Sequence, residues 1–84
     1  SSRKYIEEYL FDSRGRLIFY LQKAENDDMV PAERRLYFDA SRAVRIIEDG
    51  RTRDKLTAAD LRTAREVQAA AVKLRDVFNR TINL

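Results

Sequence analysis

Histidine, cysteine and tryptophan are absent from this chain, and its 84 residues include only two glycines and one proline. Without cysteine the chain can form no disulfide framework and lacks a strong thiol nucleophile. Histidine and cysteine are also the preferred ligands of zinc. Two glycines are too few for the glycine-rich loops that hold phosphate groups. We therefore expect no enzyme, with no catalytic residues, no cofactor, no metal site and no small-molecule substrate.

Long apolar runs are missing as well. A helix that spans a membrane needs about 20 successive apolar residues, and no segment of this sequence comes near that length. The first residues show no signal-peptide pattern. The length suits a single domain over residues 1–84. The sequence thus predicts one small cytoplasmic domain without a membrane partner.

The charge is unevenly distributed along the chain. Lysine and arginine number 17 against 14 aspartates and glutamates, for a net charge of +3. Residues 1–50 carry nine cations and ten carboxylates, whereas residues 51–84 carry eight cations and four carboxylates. The basic excess therefore lies in the last third of the chain.

The clearest element is an amphipathic helix over residues 57–82. Thr57 is a typical N-cap residue, and Asp60 follows three positions later, as in a capping box. Apolar residues then recur at spacings of three and four, which places them on one side of a helix. The members of this stripe, which we expect to face the core, are Leu61, Ala64, Val67, Ala71, Leu74, Phe78 and Ile82.

Residues 31–49 predict a second helix. Pro31 suits a first helical turn, and Gly50 suits the left-handed position that follows a last turn. The apolar residues between them fit a helical stripe: Leu36, Ala40, Ala43, Val44 and Ile47.

The first thirty residues fit two structures. Apolar residues from Ile6 to Ala24 keep a helical spacing, which favours a helix over residues 3–24. The same segment fits a β-hairpin around a turn at residues 12–15, with Phe11 opposite Leu17 and Tyr9 opposite Phe19. A lone hairpin is marginally stable, and no third strand is evident, so we favour the helix.

These elements predict an all-α fold, a compact three-helix bundle with helices over residues 3–24, 31–49 and 57–82. The alternative is an N-terminal β-hairpin followed by two helices.

A self-associating protein–protein interaction module is the function that this bundle favours. Phe38, Arg42 and Ile46 lie four residues apart, so on a helix they would share one strip away from the core. Apolar and arginine side chains beyond the needs of one small core indicate a protein partner, most simply a second copy, in a homodimeric assembly or regulatory adaptor. The predicted interface residues are Phe38, Arg42, Ile46, Arg35, Arg45, Phe11 and Phe19.

The alternative function is a small basic nucleic-acid-binding protein. The basic last third would contact the phosphate backbone, without base stacking because its one aromatic residue, Phe78, belongs to the predicted core stripe. The candidate contact residues are Arg51, Arg53, Lys55, Arg62, Arg65, Lys73 and Arg80.

Overall fold

The computed structural model of the protein describes the backbone of residues 5–24 and 32–82 and the side chains of residues 6–24 and 32–77. Five strands precede one helix in this part of the chain. The elements are β1 (Tyr5–Phe11), β2 (Leu17–Ala24), β3 (Glu33–Asp39), β4 (Arg42–Glu48), β5 (Arg51–Arg53) and α1 (Ala58–Ile82). Each strand pairs antiparallel with the next one, so the sheet is a meander in the order β1-β2-β3-β4-β5.

The prediction of an all-α helical bundle is wrong. Residues 5–24, predicted as the first helix, form the β1–β2 hairpin, and residues 33–48 of the predicted second helix form the β3–β4 hairpin. Pro31, taken as the start of that second helix, lies outside the described residues. Only the third helix, α1, is confirmed, with a start one residue after the predicted position 57.

The first hairpin is the alternative that the sequence allowed, without the second helix expected to follow it. Its turn closes through a hydrogen bond from the Gly15 nitrogen to the Asp12 carbonyl, with Gly15 at a φ of 79°. Phe11 lies opposite Leu17, as that alternative predicted, but Tyr9 lies opposite Tyr20 rather than Phe19. A bulge near the turn shifts the register by one residue and causes this difference.

One face of the sheet, called here the inner face, packs against α1. Strand side chains alternate between faces, and Tyr20, Leu36 and Ile46 lie side by side on adjacent strands of the inner face. Each of the three is at most 2% exposed. The rest of the buried apolar core is Leu17, Phe38, Ala64, Val67 and Ala71.

The start of α1 has the capping box that the sequence predicts. The Asp60 nitrogen donates to Thr57 Oγ1 at 3.1 Å, and the Thr57 nitrogen donates to Asp60 Oδ2 at 3.0 Å. These bonds satisfy backbone donors that a helix start leaves without partners. The helix therefore begins at the point where the Thr57 and Asp60 side chains cap its first turn.

The turns of both hairpins hold α1 against the sheet. Gln68 Nε2 donates to the Ser41 carbonyl at 2.7 Å, and Arg75 Nη1 donates to the Gly15 carbonyl at 2.9 Å. In a meander these two turns lie at the same end of the sheet, so the helix passes over that end.

The predicted core stripe of α1 is only partly buried. Ala64, Val67 and Ala71 lie in the core, but Leu61 and Leu74 are 41% and 50% exposed. The single sheet contacts a narrower side of the helix than two neighbouring helices would have done. Phe78 and Ile82, the last members of the stripe, lie outside the described side chains. In the described chain, α1 is too polar to cross a membrane, and no other helix is present there.

Candidate functional site

The second face of the sheet, called here the open face, lies opposite α1. Strand alternation assigns to it one of every two side chains. Two rows of cross-strand neighbours form its centre, Leu10–Phe19–Tyr37–Arg45 and Leu21–Arg35–Ile47. Among the described residues, the only helix packs on the inner face, so no helix covers the open face.

Two aromatic rings lie together on this face. The centroids of Phe19 and Tyr37, on neighbouring strands, are 5.2 Å apart, and the ring planes are tilted by 59°. Both side chains are half-buried by their neighbours in the sheet. Tilted ring pairs at this distance are favourable, so the two rings hold each other in fixed orientations.

Arg35 lies next to this ring pair, two residues before Tyr37 on β3. The Tyr37 hydroxyl and the Glu33 carboxylate both raise the pKa of Arg35. Arg35 Nε lies 2.6 Å from Glu33 Oε1, within ion-pair distance. Its N–H does not point at that oxygen, however, and has no other acceptor among the described residues. The buried Nε therefore stays without a hydrogen-bond acceptor in the described chain, while Glu33 and Tyr37 hold the guanidinium in place on the open face.

Arg45 also lies next to Tyr37, opposite it on β4. Its Nε donates to Asp54 Oδ1 at 2.6 Å, and the carboxylate raises the pKa of Arg45. Both partners are well exposed, so water and salt screen the pair and it adds little stability. The ion pair orients the guanidinium beside the Tyr37 ring without burying it.

No protein-family model, curated protein or solved structure matches this chain.

The predicted interface residues divide between the two faces of the sheet. Phe19, Arg35 and Arg45 lie together on the open face, and Arg42 is exposed at the start of β4. The other three lie on the inner side, where Phe38 is 6% exposed, Ile46 is 1% exposed and Phe11 packs half-buried against the core. The exposed helical strip predicted for Phe38, Arg42 and Ile46 does not exist, because these residues lie in two strands.

The predicted nucleic-acid contacts are dispersed. Arg53 is held by two carboxylates, Glu48 and Asp60, whereas Arg35 and Arg45 of the open face each pair with one. The other predicted contacts are exposed along β5, the following loop and α1: Arg51, Lys55, Arg62, Arg65 and Lys73. Arg80 lies outside the described side chains. No aromatic side chain of the described residues is interspersed with this group, as the sequence indicated.

Tyr37 is the site residue that the sequence analysis missed. Arg35, Tyr37 and Asp39 alternate with Leu36 and Phe38, a period of two that indicates a strand with one polar face. That signal competed with a helical spacing of apolar residues over the same segment. A strand assignment would have placed Tyr37 beside Arg35.

The open face can bind planar rings and anions at the same place. Exposed ring surfaces accept stacked bases, and arginine guanidinium groups bind phosphate through paired N–H donors. Within the described residues, no cluster of carboxylates is suited to a metal ion. The chemistry of the face is thus that of binding a ligand with both rings and negative charges.

Proposed function

We propose that the protein binds single-stranded nucleic acid on the open face of its sheet. The observation that carries this proposal is the Phe19–Tyr37 ring pair, whose Tyr37 neighbours both Arg35 and Arg45 on a face that α1 leaves uncovered. The proposal keeps the ligand class of the sequence-based alternative but moves the site from residues 51–80 to the sheet.

The combination of rings and charges on the open face supports a nucleic acid. Protein interfaces also favour aromatic and arginine side chains, but a protein partner would have to place carboxylates of its own beside the guanidinium groups that it buries. Here Arg35 is central in the sheet, with Leu21 and Ile47 as its cross-strand neighbours. A nucleic-acid strand supplies stacking bases and phosphates together, so one ligand satisfies both kinds of side chain.

The ring pair favours a single strand over a duplex. Bases in a duplex are stacked on each other and present only their edges, whereas an unpaired strand can turn base faces towards aromatic side chains. Stacking on a protein ring contributes about 1–3 kcal/mol per base. The net charge of +3 attracts the phosphate backbone and makes binding depend on salt.

Replacing both rings tests the stacking. In the Phe19→Leu/Tyr37→Leu variant the side chains stay apolar, so the sheet keeps its packing but loses its aromatic surfaces. We expect at least a tenfold rise in the Kd for a fluorescein-labelled oligothymidine, measured by fluorescence anisotropy at low salt. Circular dichroism checks that the variant is folded. An unchanged Kd in a folded variant would exclude stacking on these rings.

Matched charge removals locate the phosphate contacts. Arg35→Gln/Arg45→Gln and Arg62→Gln/Arg65→Gln each remove two positive charges, the first pair from the open face and the second from exposed positions on α1. We expect the open-face pair alone to weaken binding about tenfold or more and to lower the slope of log Kd against log salt by about 1.4, the value for two phosphate contacts to a single strand. Weakening by the helix pair alone would contradict the open face and return the site to residues 51–80.

A protein partner on the open face is the second candidate, and it retains the predicted adaptor function. The exposure of Ile6 and Leu10, 51% and 54%, favours it, because a nucleic acid does not need aliphatic contacts at the edge of the site. Failure of both single-stranded DNA and RNA to bind at low salt would favour this candidate. The partner would then depend on Leu10, and Leu10→Asn would release it.

A further inference from the structure

Helix α1 extends beyond the sheet that it covers. Its 25 residues span about 37 Å, whereas strands of seven or eight residues span about 25 Å. The positions buried on the sheet are Asp60, Ala64, Val67 and Ala71, and among the described side chains none after Ala71 is buried. The later turns therefore need another surface if their apolar side chains are to be buried.

A second apolar side of the helix, called here the flank, runs beside the buried one. Thr63, Ala70 and Val77 are seven residues apart, and Leu74 lies one turn after Ala70 on the same side. Leu74 is 50% exposed and Val77 is 54% exposed. A repeat of seven is the spacing at which two helices pack along each other.

The charged residues beside the flank can pair with the same residues of a second copy of the chain. Glu66 and Lys73 are exposed, lie seven residues apart, and have Ala69 and Ala70 midway between them. Within the described chain neither side chain forms an ion pair. When two such helices run antiparallel around Ala70, each Glu66 meets the Lys73 of the other copy. A parallel pair would instead place like charges together.

We propose that the occupant of the flank is a second copy of this chain, with the two α1 helices antiparallel and crossing near Ala70. Alanine at the crossing permits helix axes about 8 Å apart. Thr63 of each copy then lies near Val77 of the other, and Leu74 packs over the helix of the other copy. The resulting two-fold dimer pairs identical surfaces and leaves both open faces available.

Charge reversal tests this pairing. Glu66→Lys gives a homodimer with two lysine–lysine contacts, and Lys73→Glu gives one with two glutamate–glutamate contacts. We expect each variant alone to dimerise at least tenfold more weakly than the unmodified protein, measured by sedimentation equilibrium. An equimolar mixture of the two variants restores both attractive pairs, so we expect a heterodimer as tight as the original homodimer.

Arg65→Glu is the matched control, because Arg65 is exposed on the side of α1 away from the flank, so reversing its charge should leave the dimer intact. A monomeric unmodified protein at its highest soluble concentration would overturn the proposal. So would a dimer that tolerates both single reversals, or one that Leu10→Asn on the open face disrupts.

Oligonucleotide binding per chain is measured on the same variants. Its retention by dissociated variants separates this proposal from the nucleic-acid function.

Discussion

At the scale of single residues, Arg53 connects three elements of the fold. Its guanidinium donates to Glu48 on β4 and, at 2.8 Å and 3.1 Å, to both carboxylate oxygens of Asp60 at the start of α1. Arg34 donates to the second oxygen of Glu48 at 2.8 Å. Each charge therefore has an opposite partner, and the network fixes the first turn of the helix against the sheet.

This network makes stability depend on pH. Arg53 is the main cause of the lowered pKa of Asp60. Burial raises the pKa of Glu48, but hydrogen bonds from Arg53 and Arg34 outweigh it and lower that pKa overall. Groups with a lowered pKa in the folded state stabilise the fold above their ordinary pKa values of 4.5 for Glu48 and 3.8 for Asp60. The contribution is lost as the pH falls below those values.

We predict that Asp60→Asn lowers the free energy of unfolding by about 1–2 kcal/mol at pH 7, because Arg53 loses one of its two carboxylates. Urea denaturation followed by circular dichroism measures it. The loss should shrink as the pH falls below 3.8, because the unfolded chain then takes up the Asp60 proton at a higher pH than the folded protein does. Asp76→Asn is the control, since its contact with Arg75 is long, at 3.7 Å, and half exposed. An equal effect of the two substitutions would contradict the network.

At the scale of secondary structure, the tight turns explain why two of the strands were missed. The β3–β4 hairpin turns at Ala40 and Ser41, both with positive φ, 49° and 67°. Left-handed backbone costs such residues about 1 kcal/mol or more each, and hairpins usually place asparagine and glycine there. Alanine and serine in the turn give no sequence signal for a hairpin. The helical spacing of apolar residues therefore continues across the turn without interruption.

We predict that Ala40→Asn/Ser41→Gly stabilises the protein by about 1 kcal/mol or more, because both new residues accept this backbone conformation. The hydrogen bond from Gln68 goes to the Ser41 carbonyl, so it survives the change. Gly50→Ala should have the opposite sign, near 1 kcal/mol, since φ is 82° and only the backbone opposes a methyl group there. Thermal unfolding of the two variants measures both signs, and a destabilised double variant would contradict this account.

Gly50 shows how one residue type can support two folds. A left-handed glycine after residues 31–49 fits a helix end and equally fits a two-residue hairpin turn, here Asp49-Gly50 between β4 and β5. Local chemistry is enough to predict α1, because the capping residues Thr57 and Asp60 and the long helical spacing of apolar residues indicate the same helix. It could not decide the sheet, whose strands are stabilised by neighbours that only the folded chain brings together.

The candidate site was partly within reach of the sequence. The sequence identified Phe19, Arg35 and Arg45 as interface residues. It placed them on a helical fold, and that fold is wrong. Their convergence depends on strand pairing, which sets Phe19 beside Tyr37 and Tyr37 beside Arg45. Phe38 and Ile46 were predicted for the same interface, but they lie on the inner face, because successive side chains along a strand point to opposite faces.

At the scale of the whole molecule, the described residues form two layers, and no helix among them covers the open face of the sheet. The principal extents are 42 × 36 × 18 Å, so the molecule is thin in one direction. One helix can cover only one face, yet Leu10, Phe19 and Leu21 give the open face apolar character as well. A ligand or partner on that face, and a second copy on the flank of α1, would each bury surface that the single chain leaves exposed.

The order of the strands also governs how the molecule folds. Every strand pairs with its neighbour in the chain, so each hairpin can close through local contacts, on a scale of microseconds for an isolated hairpin. The inner core, however, needs Ala64, Val67 and Ala71 from the last element. Until α1 docks, the apolar side chains of the inner face are exposed together with those of the open face. The rate-limiting event should therefore be the docking of the helix, and substitutions in its buried side should slow folding more than substitutions in any hairpin turn.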